Sequence, residues 1–167
     1  MNKNIKKLNA GGRGFTLIEL LVVIGIIAIL AAIVIVAINP SRQFAQARNT
    51  QRESNVASIL NAIGQNIADH KGIFSCGTID LITGPKDIKK TGGFDLRPCI
   101  IPTYMPEVPG DPKVGTNTCT NDACSNSGGD YNTHYTVEQD TQGRVKVCSD
   151  EHDEAGILTA GPYCLTR

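Results

Sequence analysis

A long apolar run dominates the N-terminal part of the chain. Residues 15–38 are apolar apart from Thr16 and Glu19. A helix of this length is roughly 36 Å long, which is enough to cross a hydrocarbon core of about 30 Å. The run is too long for the apolar core of a cleaved secretory signal peptide, which usually has about 7–15 residues. The pattern therefore predicts a membrane-spanning helix over residues 15–39.

A second helical pattern follows the apolar run. Residues 41–71 contain no proline and a single glycine, and Gly72 is a natural stop signal. The apolar side chains recur at helical spacing and form one stripe, made of Val56, Ile59, Leu60, Ile63 and Ile67. The polar side chains expected on the other faces are Arg52, Glu53, Asn61 and Gln65. The pattern predicts an amphipathic helix over residues 40–72, joined to the first one in a single long helix from about residue 15 to residue 71, with a kink at Pro40.

The remaining residues, 73–167, are rich in Gly, Pro, Asp, Thr and Asn and contain short β-prone stretches. The clearest is a hairpin, with strands at 134–138 and 144–148 around a polar turn. The other candidate strands are residues 79–82 and 156–159, and residues 104–132 are expected to be irregular. The sequence therefore predicts an α+β fold, in which the long N-terminal helix packs on a small antiparallel sheet in a globular head.

Six cysteines follow the apolar run and none precedes it: Cys76, Cys99, Cys119, Cys124, Cys148 and Cys164. An even set in so small a head indicates disulfides formed in an oxidising compartment, which places the C-terminal side of the span outside the cytoplasm. The sequence does not choose among the alternative pairings. We expect sequential pairing, 76–99, 119–124 and 148–164. A metal site is the weaker interpretation, because the closest pair is C-x4-C and no second such pair accompanies it.

Charge and motif content argue against nucleic-acid binding and catalysis. The first 14 residues carry four basic side chains and no acid, and the other 153 carry 12 basic and 16 acidic ones. A folded part of that balance would repel phosphate, so we expect no direct nucleic-acid binding. His70, His134 and His152 belong to no GxSxG, HExxH or Cys–His signature. We expect no catalytic residues, and an anchored enzyme ranks last among the functions considered.

Glu19 stands out, because a carboxylate inside a spanning helix is unfavourable unless it finds a partner. The segment Gly14–Glu19, with the sequence GFTLIE, follows a short basic leader and opens the apolar helix. It resembles the class III signal of type IV pilins and type II secretion pseudopilins. The resemblance covers residues 11–38 specifically and the rest of the architecture more loosely.

This resemblance implies a processing reaction and an assembly contact. A prepilin peptidase would cut between Gly14 and Phe15, remove the leader 1–14 and methylate the new amine of Phe15. Glu19 would then neutralise that amine on a neighbouring subunit of a helical filament. Members of the family often have a proline well inside the apolar helix, whereas this chain has Val36 and its first proline is Pro40. Where the helix bends in a filament therefore stays open.

Carboxylates gather in the loops of the head: Asp111, Asp122, Asp130, Asp150, Glu151, Asp153 and Glu154. Some pseudopilins that this chain resembles hold calcium in the loop after a Pro-x-Asp-Pro stretch, and residues 109–112 have this sequence. There is no EF-hand spacing, and acidic loop residues are usually solvated. We expect no cofactor and no metal ligand, with a structural calcium ion as the alternative.

These observations predict a structural subunit that polymerises into a type IV pilus-like filament after cleavage and N-methylation. One alternative is a type II secretion or DNA-uptake pseudopilin. An alternative of another class is an uncleaved membrane anchor for an extracytoplasmic binding module. The expected partners are other copies of the chain, prepilin peptidase, the filament assembly machinery and, before assembly, membrane lipid. The expected locations are the cytoplasmic membrane before assembly and a cell-surface or periplasmic filament afterwards.

Overall fold

The computed structural model of the chain describes residues 14–37, 39–76, 84–120, 124, 128–152, 154 and 161–167. The chain divides into two compact units, Met1–Pro40 and Ser41–Arg167. The strands expected at 79–82 and 156–159 lie outside the described residues, as does most of the basic leader.

The apolar run forms the helix α1, Leu17–Ala37. It contains no proline, and Leu, Ile, Val and Ala side chains fill almost every position, so nothing interrupts its backbone hydrogen bonds. In the part of α1 whose burial is described, residues 17–35, every side chain is exposed. A helix that is apolar on all sides is typical of a membrane span or of a buried assembly core.

The second helical pattern forms α2, Pro40–Asp69. The expectation of one continuous helix to residue 71 is wrong, because α1 ends at Ala37 and Asn39 is not helical. Proline lacks the N–H that a helix interior needs, and its ring clashes with the carbonyl four residues earlier. Both penalties vanish at the first position of a helix, so Pro40 starts a new helix instead of bending the old one.

The C-terminus of α2 lies where the stop signal predicts it. Lys71 and Gly72 both have a positive φ, and the Gly72 N–H donates to the Ile67 carbonyl over 2.8 Å. This bond belongs to a Schellman motif, which satisfies a carbonyl that the helix end leaves unpaired. His70 follows the last helical residue, and its Nδ1 lies 2.7 Å from the Asn66 carbonyl oxygen.

The described residues of the head form an antiparallel sheet of five strands, confirming the α+β fold. Its strands are β1 (Lys86–Lys89), β2 (Thr116–Asn117), β3 (Tyr131–Gln139), β4 (Val145–Ser149) and β5 (Tyr163–Thr166). The order is β1-β3-β4-β5, and β2 pairs with β3. A short helix, α3 (Arg97–Ile100), lies between β1 and β2 in the chain, and a 3₁₀ turn over Asp150–His152 follows β4. The predicted hairpin is confirmed as β3–β4, with Val137 opposite Val147.

The core of the head lies between α2 and the sheet. The predicted stripe on α2 is confirmed, since Val56, Ile59 and Ile63 have no exposed surface. The same hydrophobic cluster includes side chains of the hairpin strands, among them Tyr135, Val137, Val145 and Val147. Alternate residues of β3 are buried, as expected for a strand with one face on the core. The amphipathic helix is thus part of the same compact unit as the sheet.

Candidate processing and assembly site

The residues at the expected cleavage point lie in a non-helical segment just before α1. Gly14 and Phe15 are exposed, and Phe15 retains 84 % of its side-chain surface. Apart from Gly14 and its two chain neighbours, no described residue places a heavy atom within 4 Å of the position that a Cβ on Gly14 would occupy. The backbone between Gly14 and Phe15 is therefore open to an approaching enzyme in this structure.

Glu19 is tied to Thr16 by a capping box. Thr16 precedes the first helical residue, and its backbone N–H and its hydroxyl each donate to Glu19 Oε2 over 2.8 Å. In return, the Glu19 N–H donates to the Thr16 hydroxyl oxygen over 3.2 Å. Such reciprocal bonds satisfy N–H groups that a helix N-terminus leaves unpaired, and a carboxylate there also interacts favourably with the helix dipole.

The helix-capping role of Thr16 was not predicted from the sequence, although the sequence contains a signal for it. Thr-x-x-Glu immediately before an apolar run is the sequence pattern of a capping box. Glu19 remains exposed, so its carboxylate is open to a cation from a neighbouring molecule. The structure thus brings together two of the residues in this segment, Thr16 and Glu19, at the exposed start of α1.

Among the described residues, one helix is long and apolar enough to cross a membrane. It covers Leu17–Ile35, 19 residues with Glu19 as their sole charged side chain, and none of it is buried. Length and composition meet the requirement for a span, since about 20 apolar residues cover the hydrocarbon core. The apolar N-terminal helix fits membrane anchoring.

The cysteines of the head come together in sequential pairs. The disulfides are Cys76–Cys99, Cys119–Cys124 and Cys148–Cys164, with Cα–Cα distances of 4.8, 4.8 and 4.1 Å. The first joins the segment after α2 to α3, and the third joins directly opposed residues of β4 and β5. This is the pairing that we expected from the sequence.

A buried ionic cluster surrounds Arg52, which the helical pattern placed on a face of α2 other than the apolar stripe. Arg52 has no exposed side-chain surface and forms ion pairs with Asp111 over 2.6 Å and with Glu154 over 2.8 Å. Arg52 is therefore buried beside the apolar stripe, and the expectation that it lies on another face of α2 is wrong. Position 52 lies four residues before Val56, one turn away on the same face, so helical spacing already contained the signal.

The electrostatics of this cluster follow from its geometry. Two guanidinium groups, those of Arg48 and Arg52, lower the pKa of Glu154 to about 2, well below its usual range. Hydrogen bonds from Arg52 and from two backbone N–H groups outweigh burial and lower the pKa of Asp111 as well. Both carboxylates are therefore ionised at neutral pH. The acidic residues at 122 and 153 lie outside the described residues.

The histidines form no catalytic arrangement in the part of the chain that the structure describes. His152 Nε2 lies 3.0 Å from a carboxylate oxygen of Glu53, and the His152 ring stacks on Tyr163. His134 lies on β3 with a positive φ, and His70 is at the end of α2. No group of three His, Cys, Asp or Glu side chains suited to a metal ion occurs among the described residues.

Comparison with known proteins agrees with the N-terminal geometry. Residues 10–35 match the family model described as the prokaryotic N-terminal methylation motif. No curated protein and no solved structure matches the chain. The matched segment contains Gly14, Phe15, Thr16 and Glu19 and most of the apolar helix α1. The chain carries the class III signal of type IV pilins on an apolar N-terminal helix, and this motif supports a type IV pilin-like or pseudopilin subunit.

Proposed function

We propose that this chain is a structural subunit that polymerises into a type IV pilus-like filament. A prepilin peptidase removes residues 1–14 and methylates the amine of Phe15, and the mature subunit then leaves the membrane and joins the filament. The observation that carries this proposal is the methylation motif at the exposed start of an apolar helix whose described side chains are all exposed.

Glu19 supplies the specific assembly contact. Cleavage after Gly14 creates a new α-amine on Phe15, which remains positively charged after a single methylation. The hydrogen bonds from Thr16 both end on one oxygen of an exposed carboxylate, so Glu19 can accept an amine from a neighbouring subunit without first leaving the helix cap. Pairing the two charges removes the cost of an isolated carboxylate in an apolar surrounding.

The apolar surface of α1 is suited to two successive environments, lipid before assembly and neighbouring helices afterwards. Lipid covers it while the subunit waits as a single-pass protein of the cytoplasmic membrane with its C-terminus outside. Neighbouring α1 helices replace the lipid in the filament. The three disulfides support an extracytoplasmic head, because such bonds persist in oxidising compartments. A filament on the cell surface and a short periplasmic pseudopilus both satisfy these requirements.

Peptide mass spectrometry of two fractions tests the proposal. Membranes and material sheared from the cell surface are compared for the N-terminal peptide of the chain. An N-methylated peptide beginning at Phe15 in the sheared fraction is the expected result. The same peptide confined to membranes indicates a pseudopilin of a secretion or DNA-uptake system. A dominant peptide that retains Lys7 through Phe15 identifies an uncleaved anchor and overturns the proposal.

A substitution at the cleavage point and a control substitution three residues earlier test the cleavage site. Gly14→Val places a branched side chain directly before the bond that is cut, and we expect unprocessed chain to accumulate in the membrane. Gly11→Val makes the same change three residues earlier, and we expect normal processing. Equal processing of both variants would argue against cleavage after Gly14.

A further inference from the structure

The turn over residues 109–115 contains the Pro-x-Asp-Pro stretch that precedes the loop where the family resemblance points to calcium. Asp111 in this turn has no exposed side-chain surface. Its backbone N–H donates to the Thr133 carbonyl over 2.8 Å, which fixes the turn against β3. Its Oδ1 accepts the backbone N–H groups of Lys113 and Val114 over 2.8 and 3.1 Å. One carboxylate oxygen of Asp111 therefore already accepts two hydrogen bonds within its own turn.

Arg52 donates hydrogen bonds to both oxygens of the Asp111 carboxylate. Its Nε donates to Asp111 Oδ2 over 2.6 Å, and its Nη2 donates to Asp111 Oδ1 over 3.2 Å. This two-point contact matches the planar guanidinium to the carboxylate. Arg52 Nη1 also donates to Asn49 Oδ1 and to Glu154 Oε1, each over 2.8 Å.

The second carboxylate is held in the same way. Glu154 retains 6 % of its side-chain surface and accepts hydrogen bonds from Arg48 Nε and Nη2, each over 2.6 Å. Its Oε1 therefore receives one bond from Arg48 and one from Arg52. Two carboxylates face two guanidinium groups, and the Lys113 ammonium lies 3.9 Å from Glu154 Oε2, so the negative charges are balanced without an added ion.

A calcium ion does not fit these residues. Calcium takes about 6–8 oxygen ligands, and the oxygens of Asp111 and Glu154 already accept N–H donors from two permanent cations. An ion placed between them would meet two positive charges in a poorly solvated site, where repulsion is strong. The exposed acidic residues Asp150 and Glu151 lie on the 3₁₀ turn and form no metal-binding group with two further described ligands.

We infer that Arg52 is the built-in structural cation of the head, next to the loop where the resemblance points to calcium, and that the head needs no calcium to fold. A single guanidinium joins three segments that are far apart in sequence: the helix α2, the turn that contains Asp111 and the segment after β4 that contains Glu154. The inference goes beyond the filament function, and its failure would leave that function untouched.

Thermal unfolding of the full chain in detergent micelles tests this inference. The near-UV circular dichroism of the buried Tyr131 and Tyr135 reports on the head. The unfolding midpoint of the native chain should be the same in excess CaCl2 and in excess EGTA. A midpoint that rises in calcium or falls in EGTA would overturn the inference, and so would saturable calcium binding to the native chain in isothermal titration calorimetry.

The variant Arg52→Ala tests the structural role of the guanidinium directly. The buried Asp111 would lose its cationic partner and Glu154 one of its two guanidinium partners, so we expect the midpoint to fall by about 10 °C or more. Arg144→Ala is the matched control, since Arg144 pairs with Asp140 at the exposed turn of the hairpin, and it should cost much less. Equal midpoints for Arg52→Ala and the control would contradict the role of Arg52.

A milder variant keeps the test decisive if Arg52→Ala fails to fold. Arg52→Lys retains the positive charge but cannot span Asp111 and Glu154 with a planar group. We expect a midpoint clearly below that of the native chain, with no dependence on calcium. Restoration of the native midpoint in Arg52→Lys would show that any cation suffices and would contradict the specific role of the guanidinium.

Discussion

Thr16 and Glu19 satisfy each other across the first turn of α1: the Glu19 N–H donates to the Thr16 hydroxyl, and the Thr16 N–H donates to the Glu19 carboxylate. The carboxylate thus has a structural partner within its own chain, independent of any neighbour in the proposed filament. A residue that caps a helix and also meets a neighbouring amine must keep its position and its charge, and these two requirements can be separated by substitution.

Glu19→Gln separates the charge from the cap. Glutamine keeps the size of the side chain and can still complete a capping box, but it cannot neutralise a charged amine. We expect membrane insertion and cleavage at the native level and a large loss of filaments, measured as the ratio of sheared to membrane-bound subunit. Glu151→Gln removes one exposed carboxylate elsewhere and serves as the control. A native filament yield from Glu19→Gln would remove the charge-pairing contact from the proposal.

Thr16→Val removes the hydroxyl from the cap and leaves Glu19 in place. Loss of a good N-cap costs about 1 kcal/mol, so the first turn of α1 should fray. Hydrogen exchange of the full chain in micelles should show faster exchange at the Glu19 amide, whose acceptor is the Thr16 hydroxyl. Thr50→Val on α2 is the control, because that hydroxyl donates only to the Gln46 carbonyl within its own helix. Unchanged exchange at Glu19 would contradict the capping role.

The disulfides should stabilise the head in the order of the loops that they close. Cys148 and Cys164 are 16 residues apart, and Cys119 and Cys124 are 5 apart. Replacing both cysteines by serine should lower the free energy of unfolding by about 3 kcal/mol for the first pair and about 2 kcal/mol for the second. Urea titration of the full chain, followed by tyrosine circular dichroism, measures both values. The reverse order would show that native-state contacts, rather than loop closure, set the contribution of each bond.

The Arg52 cluster should make the head sensitive to acid. The folded-state pKa of Glu154 is about 2, against 4.5 for the free side chain, and the pKa of Asp111 is also lowered. A lowered pKa stabilises the folded state fully above the unfolded pKa, and this stabilisation is lost as the pH falls through the folded pKa. Stability should therefore decrease between pH 4.5 and about 2.

The matched variants for this pH dependence are Glu154→Gln and Glu151→Gln. The unfolding midpoint is measured as a function of pH for both variants and for the native chain. Glu154→Gln should be less stable at neutral pH and should lose less stability in acid. Glu151→Gln, at an exposed position, should follow the native curve. If Glu154→Gln keeps the native slope, Glu154 is not the group that titrates.

Local patterns predicted the elements whose determinants lie close together in the chain. The apolar run specified α1, the stripe containing Val56 and Ile63 specified the buried face of α2, and alternation around a polar turn specified the β3–β4 hairpin. The sequence predicted a kink at Pro40, whereas the structure has a break before it. A proline is compatible with both a kinked helix and the start of a new helix, so the local sequence does not distinguish them. The edge strand β1 was missed, since its sequence KDIK has one apolar residue and no alternation.

The sequence by itself determined the signal at the N-terminus, since Gly14, Phe15, Thr16 and Glu19 lie close together in the chain at one helix start. Only the tertiary structure decided the partners of Arg52, because Asp111 and Glu154 lie 59 and 102 residues away in the chain. The same holds for the cysteines, whose composition indicated disulfides but whose pairing depends on which segments the fold brings together. Local patterns fix backbone conformation, whereas ion pairs and disulfides depend on distances that exist only after the chain has packed.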